Sequence, residues 1–452
     1  MRKITTLIVL ALIALVTKAQ LTTIHEFNQT NGSMPVAGMI YDGATYLYGT
    51  TYIGGISDTG TVYKLNVNDN TFTKLVDFTT DNGAYARNSQ IIIGNTIYGT
   101  TEAGGNNNWQ GVLYKIDLSN NNFSVIYNFE SSTGYDPNTL IYDGTYIYGT
   151  TTYGGTNNKG VIFKFDIATN TYTKLYDFDN ANGANPVEKL ISDGDYLYGT
   201  TSYGGTNNKG VIFKFNKTTG IYSKLLDFDG TNGEQPYSLC MVNDYLYGVT
   251  HSGGTNNNGV IYRINKNQPS DFIQLNMDWT TTGANPTAWL TEHNNELYGV
   301  AMIGGNDDVG TIFKVDYNLA FTKLYDFDGT DGKYPNGNIT FVGNTLYGVT
   351  QQGGSNSKGS IFKYDITTNS ISFVNTKENI NIYPSPASNN ITISFNEIPD
   401  MLKITDVTGK TVFSTNNTNN TMNINISDYQ EGMYFVISTK NNKKQVKKFI
   451  KN

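Results

Sequence analysis

An all-β fold made of repeated four-stranded sheets is what this sequence predicts, and three observations predict it. A Tyr-Gly pair recurs with its tyrosine at Tyr48, Tyr98, Tyr148, Tyr198, Tyr247, Tyr298 and Tyr347, a period of 49 to 51 residues. A fixed spacing in that range marks a solenoid, a propeller or an array of like units. Two units are nearly identical, YIYGTTTYGGTNNKGVIFKF at 146–165 and YLYGTTSYGGTNNKGVIFKF at 196–215. No unit shows helical periodicity; apolar and polar residues alternate between clusters of Asn, Asp, Gly and Thr, as in short strands joined by turns.

One full unit, 172–228, shows how the elements follow. YTKLYDF alternates aromatic and polar residues and reads as a strand. The polar turn DNANGANP follows, then a short apolar segment at Lys189–Ser192, an Asp-Gly-Asp turn and the strand YLYGTT. The loop SYGGTNNKG leads into VIFKF, apolar enough to be buried on both faces. The turn NKTTG returns the chain to the next outer strand, YSKLLDF. Four short strands per 50 residues, seven times over, predict a seven-bladed β-propeller, whose blades are four-stranded sheets. A parallel β-helix needs much shorter coils.

With strands ordered from inner to outer, two connections share one face. One is the Gly-Gly loop between the second and third strands; the other links an outer strand to the next inner strand. The glycines are expected to supply positive φ and close backbone approach there. The link carries Gly-x-x-Pro at Gly32/Pro35, Gly134/Pro137, Gly183/Pro186, Gly233/Pro236, Gly283/Pro286 and Gly332/Pro335. In the second unit Gly83 is followed instead by Ala86 and Arg87. There are eight outer-type strands for seven inner sets. Thr23–Phe27 is expected to close the last blade, because HEFNQTNGSMP runs on into the first unit as the other links do. Ile371–Asn375 is the alternative.

Composition limits the function classes. The chain is rich in Tyr, Phe, Thr, Asn and Gly, and its one cysteine, Cys240, allows no disulfide within the chain. Net charge is −7; three cations in residues 1–19 and an excess of three in 380–452 leave −13 for residues 20–379. That balance opposes nucleic-acid binding. The first 19 residues read as a secretory signal peptide. Arg2 and Lys3 come first, Leu7–Val16 is apolar, and Thr17-Lys18-Ala19 forms a cleavage site before Gln20. The apolar run is short for a spanning helix, and no later segment of the mature chain is long enough to span.

Two resemblances attach to these residues. The spacing of double glycine and aromatic strand looks like kelch-type propeller repeats without their usual Trp. More closely, LYGTTxxGGxxxxGxIFK resembles the GloVer tandem repeat of secreted bacterial proteins, over nearly all of residues 20–376. It implies the propeller but no defined activity. After the polar linker 377–379 the composition shifts. Strands are expected at Ile380–Tyr383, Ile391–Phe395, Leu402–Asp406, Thr411–Ser414, Met422–Ile426, Gly432–Ser438 and Gln445–Ile450, forming a small β-sandwich. Residues 380–452 are similar to the type IX secretion C-terminal sorting domain (type A). They carry YPSPA at Tyr383–Ala387, ITDVTGKTV at Ile404–Val412, INISDYQEGMYFV at Ile424–Val436 and the tail KKFIKN. The resemblance implies the secretion machinery as a partner and export from the periplasm across the outer membrane, to the medium or the cell surface.

Chemistry-bearing residues are sparse. Asp177-Phe178-Asp179-Asn180 and Asp326–Gly332 have alternate hard oxygens, but not at EF-hand spacing, so Asx-turn capping of the link is the expected role. His25, His251 and His293 lack ligand-type spacing. With no nucleophile elbow and no phosphate-binding glycine loop either, no metal, cofactor or catalytic set is expected. Residues that break the repeat on the loop-rich face are the candidates for a binding site. Trp279 replaces an Asp-type link residue. Trp109 lies in the one lengthened glycine loop, with Glu102 just before it. Arg87 stands in the link without proline. His251 and Met302 fill the variable position after the YGTT-type strand, and Trp289 is placed on an inner strand near the pore. Aromatic faces on a ring of loops suit sugar or peptide stacking, so a non-catalytic propeller binding an extracellular glycan or protein is the expectation. The rival is a polysaccharide hydrolase or lyase, which needs two carboxylates across a cleft; Glu102 and Asp136 are candidates that sequence alone cannot bring together. A purely structural surface or adhesion protein is the third reading.

Overall fold

The computed structural model describes residues 21–366 and 380–452, apart from 288, 396, 407–409, 417–418 and 441–442. Two compact units divide at residues 368/369. In the first, seven antiparallel sheets are described, their strands hydrogen-bonded in chain order except that the last sheet takes the first strand of the chain at its edge. They are numbered here along the chain. The fourth sheet is typical: Ala184–Asp193, Tyr196–Tyr203, Val211–Asn216 and Tyr222–Asp227. The first of these strands is longer than the Lys189–Ser192 segment the sequence indicates, because the link itself pairs with the second strand, Ala184 opposite Tyr203, with a register shift between Val187 and Ile191.

The core lies between successive sheets. Tyr148, Ile162 and Phe178 of the third sheet pack with Leu190, Leu197, Val211, Phe213 and Phe215 of the fourth. In Val211–Asn216 every residue but Lys214 and Asn216 is buried, as the apolar run VIFKF requires. Each such Phe or Leu contributes about 1.5–3 kcal/mol on burial. Lys214 escapes by laying its ammonium over the Tyr196 ring, 4.5 Å from the centroid.

Links lock sheet to sheet. The residue after Gly-x has a left-handed backbone in all seven sheets, at Met34, Tyr85, Asp136, Asn185, Gln235, Asn285 and Tyr334 (φ 52–62°). That turn aims its amide at the preceding sheet's hairpin: Asn185 N donates to Lys159 O at 2.9 Å and Gln235 N to Lys209 O at 3.0 Å. Gly210 shows why the hairpin must end in glycine. At φ +96° a Cβ there would lie 2.3 Å from Thr201 O and 2.6 Å from Pro236 Cδ of the next sheet. The repeated acids act locally, as turn acceptors. Asp177 Oδ1 accepts Thr156 N at 2.8 Å in the glycine loop. Asp179 Oδ1 accepts Asn182 N at 2.8 Å and Asp328 Oδ1 accepts Thr330 N at 2.9 Å, the Asx-turn geometry expected.

The first strand closes the array. Thr22–Glu26 pairs antiparallel with Ser360–Asp365, Thr22 opposite Lys363 and Glu26 opposite Ser360. Glu26 Oε1 then accepts Ser355 N at 3.1 Å, as Asp177 accepts Thr156 N in the third sheet. Met34 N donates to Lys358 O at 2.9 Å, completing the links between first and last sheets. The expected closing strand is thus the one found. The alternative, Ile371–Asn375, lies outside the described residues, as do the expected signal peptide at 1–19 and the linker 377–379.

The second unit has two sheets. One joins Ile380–Tyr383, Asn390–Phe395 and Thr421–Asn425; the other joins Thr411–Thr415, Met401–Asp406, Gly432–Lys440 and Lys443–Lys451. Ile391, Ile393, Leu402, Ile404, Val436 and Phe449 are buried in its core. All seven strands expected from the alternation are present.

Candidate functional site on the loop-rich face

Where the link of the second sheet lacks proline, Arg87 becomes the centre of a charge cluster. Its Nη2 donates to both oxygens of Asp136 at 2.8 Å and lies 3.4 Å from Thr152 Oγ1. Its Nε lies 3.6 Å from Glu102 Oε2. Asp136 is a left-handed link residue of the third sheet and only 7% exposed. Glu102 lies two residues beyond the second strand of the second sheet, Thr96–Thr100. The two candidate carboxylates, 34 positions apart in sequence, therefore meet on one guanidinium. Burial lifts Asp136 to about 6, against the pull of Arg87 and with the push of Glu102. Arg87 stays charged, its own burial outweighed by Asp136, Glu102 and Glu188.

Glu188, in the fourth sheet's link, faces the same guanidinium. Burial pushes its carboxyl up to about 7, against Arg87, a bond from Thr139 and Lys189. Thr139 Oγ1 lies 3.5 Å from Glu188 Oε2. Its backbone is also left-handed, φ 57°, where the seventh sheet has Gly337 at φ 74°. Tyr237 of the fifth sheet is pushed up to about 12, first by burial and then by Glu188.

An aromatic row leads away from these charges. Tyr52 stacks on Tyr85 with centroids 5.1 Å apart, and Tyr85 meets Trp109 edge-on at 5.8 Å. Trp109 is 43% exposed and sits in its hairpin loop at φ 66°. Glu102 lies beside Tyr52; burial first, then that carboxylate, pushes its phenol up to about 12. Row and charge cluster thus share Glu102.

Of the sequence candidates, Arg87, Glu102, Asp136 and Trp109 converge. His251 is half-buried, 3.4 Å from Asn285 Nδ2, with the Tyr237 ring 6.2 Å away; burial lowers its pKa. Met302 is half-buried on Glu296–Ile303. Trp279 is 40% exposed and uses its carbonyl to accept Gly305 N at 2.7 Å; no ring contact joins it to the row among the described residues. Trp289 corrects an expectation: it lies between the strands Ala284–Pro286 and Thr291–His293, 9% exposed within the pore. Sequence reasoning missed Glu188, Tyr52, Tyr85 and Tyr237. Glu188 had a readable signal, since no other link places an acid two residues after its proline.

Comparison with known proteins places this architecture. The Gloeobacter/Verrucomicrobia repeat model matches residues 11–146, 140–273 and 238–386. The chain belongs to that repeat family. A secretion system C-terminal sorting domain matches residues 381–452, so this repeat protein is exported to the cell surface or extracellular space. No curated protein matches the chain. Among solved structures, a Mycobacterium tuberculosis puromycin-hydrolyzing peptidase is 10% identical over 84% of this chain and 63% of its own, with TM-score 0.51. That likeness bears on the fold alone. A chain of the mitotic checkpoint complex is 12% identical over 78% of this chain and 92% of its own, TM-score 0.49. PorZ of Porphyromonas gingivalis, a bacterial surface component of the type-IX secretion system, is 13% identical over 90% of this chain, TM-score 0.35. This chain spans 64% of PorZ, and less than two thirds of the peptidase.

Proposed function

We propose that the protein is a non-catalytic surface propeller that binds an extracellular glycan through its loop-rich face. In this reading residues 1–19 direct passage to the periplasm, 20–376 form the binding domain, and 380–452 after the linker 377–379 engage the type IX machinery. The observation that carries the proposal is the row Tyr52–Tyr85–Trp109 ending on the Arg87–Glu102–Asp136 cluster. A sugar ring offers an apolar face for stacking and hydroxyls that both donate and accept; the row and the cluster supply partners for each.

A glycan array and polysaccharide pull-down with the full chain tests this. Trp109→Ala is expected to weaken binding by about 1 kcal/mol or more, roughly fivefold, and Arg87→Ala at least as much. Binding unchanged in both variants would move the site elsewhere, and binding only to proteins would replace the ligand class. A second reading, hydrolase or lyase, is favoured by one observation, two carboxyls near Arg87 that burial lifts, Asp136 to about 6 and Glu188 to about 7. New reducing or unsaturated ends in the pull-down samples would establish it over simple binding.

A further inference from the structure

The pore opens at a second mouth, lined by residues farther along the inner strands than the link residues around Arg87. A cavity of about 510 Å³ occupies it, within the range of small-molecule sites. Its wall is largely apolar, with Ile40, Tyr41, Ile91, Ile141, Tyr142 and Phe341 contributed by four different sheets. Its floor breaks the repeat. At the position just before the buried Leu, Met, Gln or Ile of six inner segments stand Gly38, Ser89, Thr139, Lys189, Trp289 and Asn338. Most of these are small or neutral, whereas Lys189 and Trp289 meet each other, the ammonium 4.3 Å from the ring centroid. Ser89 Oγ donates to Asn338 Oδ1 at 2.7 Å and tightens the same layer. Beyond the floor the axis narrows to about 10 Å³ beside Arg87, Glu188 and Trp289, room for about one water.

We propose that this mouth binds a small amphiphilic carboxylate, its apolar body against the ring of Ile, Tyr and Phe side chains and its head on Lys189 above Trp289. The closed floor limits the head to a compact group. Charge selects its sign: Lys189 is the cation that lines the cavity, and no acid does. Of the carboxylates near the mouth, Asp143 pairs with Lys217 at 2.8 Å and Asp193 with Lys266 at 2.6 Å, while Asp42 accepts Ala44 N at 2.8 Å and Glu292 accepts the Tyr317 hydroxyl at 3.1 Å. Burial, the largest influence on Lys189, lowers its pKa, with Cys240 and then Glu188 acting the other way. This site is separate from the aromatic row and does not depend on the glycan reading.

The test compares three ten-carbon probes on the full chain below their micelle concentrations, by calorimetry and tryptophan fluorescence: the carboxylate, the alcohol and the quaternary ammonium. The carboxylate is expected to bind saturably, at least about tenfold tighter than the alcohol, and the ammonium weakest. Lys189→Met should erase the preference for carboxylate over alcohol, and Trp289→Phe should remove the fluorescence response. The proposal fails if the carboxylate does not saturate, if the ammonium binds as well, or if Lys189→Met keeps the preference. Should either variant not fold, the ranking of the three probes on the wild type decides alone.

Discussion

At Glu188 the left-handed backbone, costly by about 1–2 kcal/mol for a residue with a β-carbon, coincides with a carboxyl lifted to about 7. Such coincidences collect at sites under functional constraint. The pH consequence has a definite sign. The native state holds a proton that the unfolded chain releases near 4.5, so this group lowers stability progressively as pH rises from there to about 7. Glu188→Gln removes that loss. Its melting temperature should exceed that of wild type at pH 8, with the gap closing by pH 5, measured calorimetrically at both. A variant less stable at pH 8 would mean that Arg87 outweighs burial. Sequence exposed Arg87 through its missing proline and Trp109 through its lengthened loop. It could not show that Glu102, Asp136 and Glu188 face one guanidinium, because that meeting depends on left-handed link residues that Asn, Gln, Met and Tyr also occupy.

For the elements, the glycine pattern was readable in purpose as well as position. Gly210 and Gly194 both have positive φ, +96° and +56°, but a Cβ on Gly210 would strike Thr201 O and Pro236, while Gly194 faces open space. Gly210→Ala should therefore cost roughly 2–5 kcal/mol, backbone strain plus overpacking. Gly194→Ala should cost only about 1–2 kcal/mol, from strain alone. Urea unfolding midpoints separate the two, and equal losses would show that the hairpin ends do not bear on the next sheet. The apolar VIFKF strands were legible for the same reason, since burial on both faces leaves no alternation to misread. Trp289 was misplaced because the sixth sheet's inner strand is interrupted between Pro286 and Thr291, and neither composition nor period marks that break.

Across the whole molecule, ring closure and the terminal module were the features read most directly. The count of outer-type strands pointed to Thr23–Phe27, and all seven strands of the second unit followed from simple alternation. Deleting residues 22–26 should leave the Ser360–Asp365 strand with an unpaired edge and remove the Glu26 contact to the Ser355 loop. Exposed edges invite pairing between molecules, so the deletion is expected to lower thermal stability and to elute as oligomers in size-exclusion chromatography. A monomeric, equally stable product would show that the closing strand is dispensable.

That closing pair also imposes an order in time. Thr22 is synthesised some 340 residues before Lys363, its partner, so every sheet but the last can be complete while the opening strand still waits. Across an unfolded chain of that length closure would cost roughly 3 kcal/mol more than for a ten-residue hairpin, a cost that finished intervening sheets spare by holding the two strands near each other. The last pairing to form thus recruits the first strand made, and a chain cut short before residue 360 would carry six finished sheets, two strands of the seventh and an opening strand with nowhere to pair.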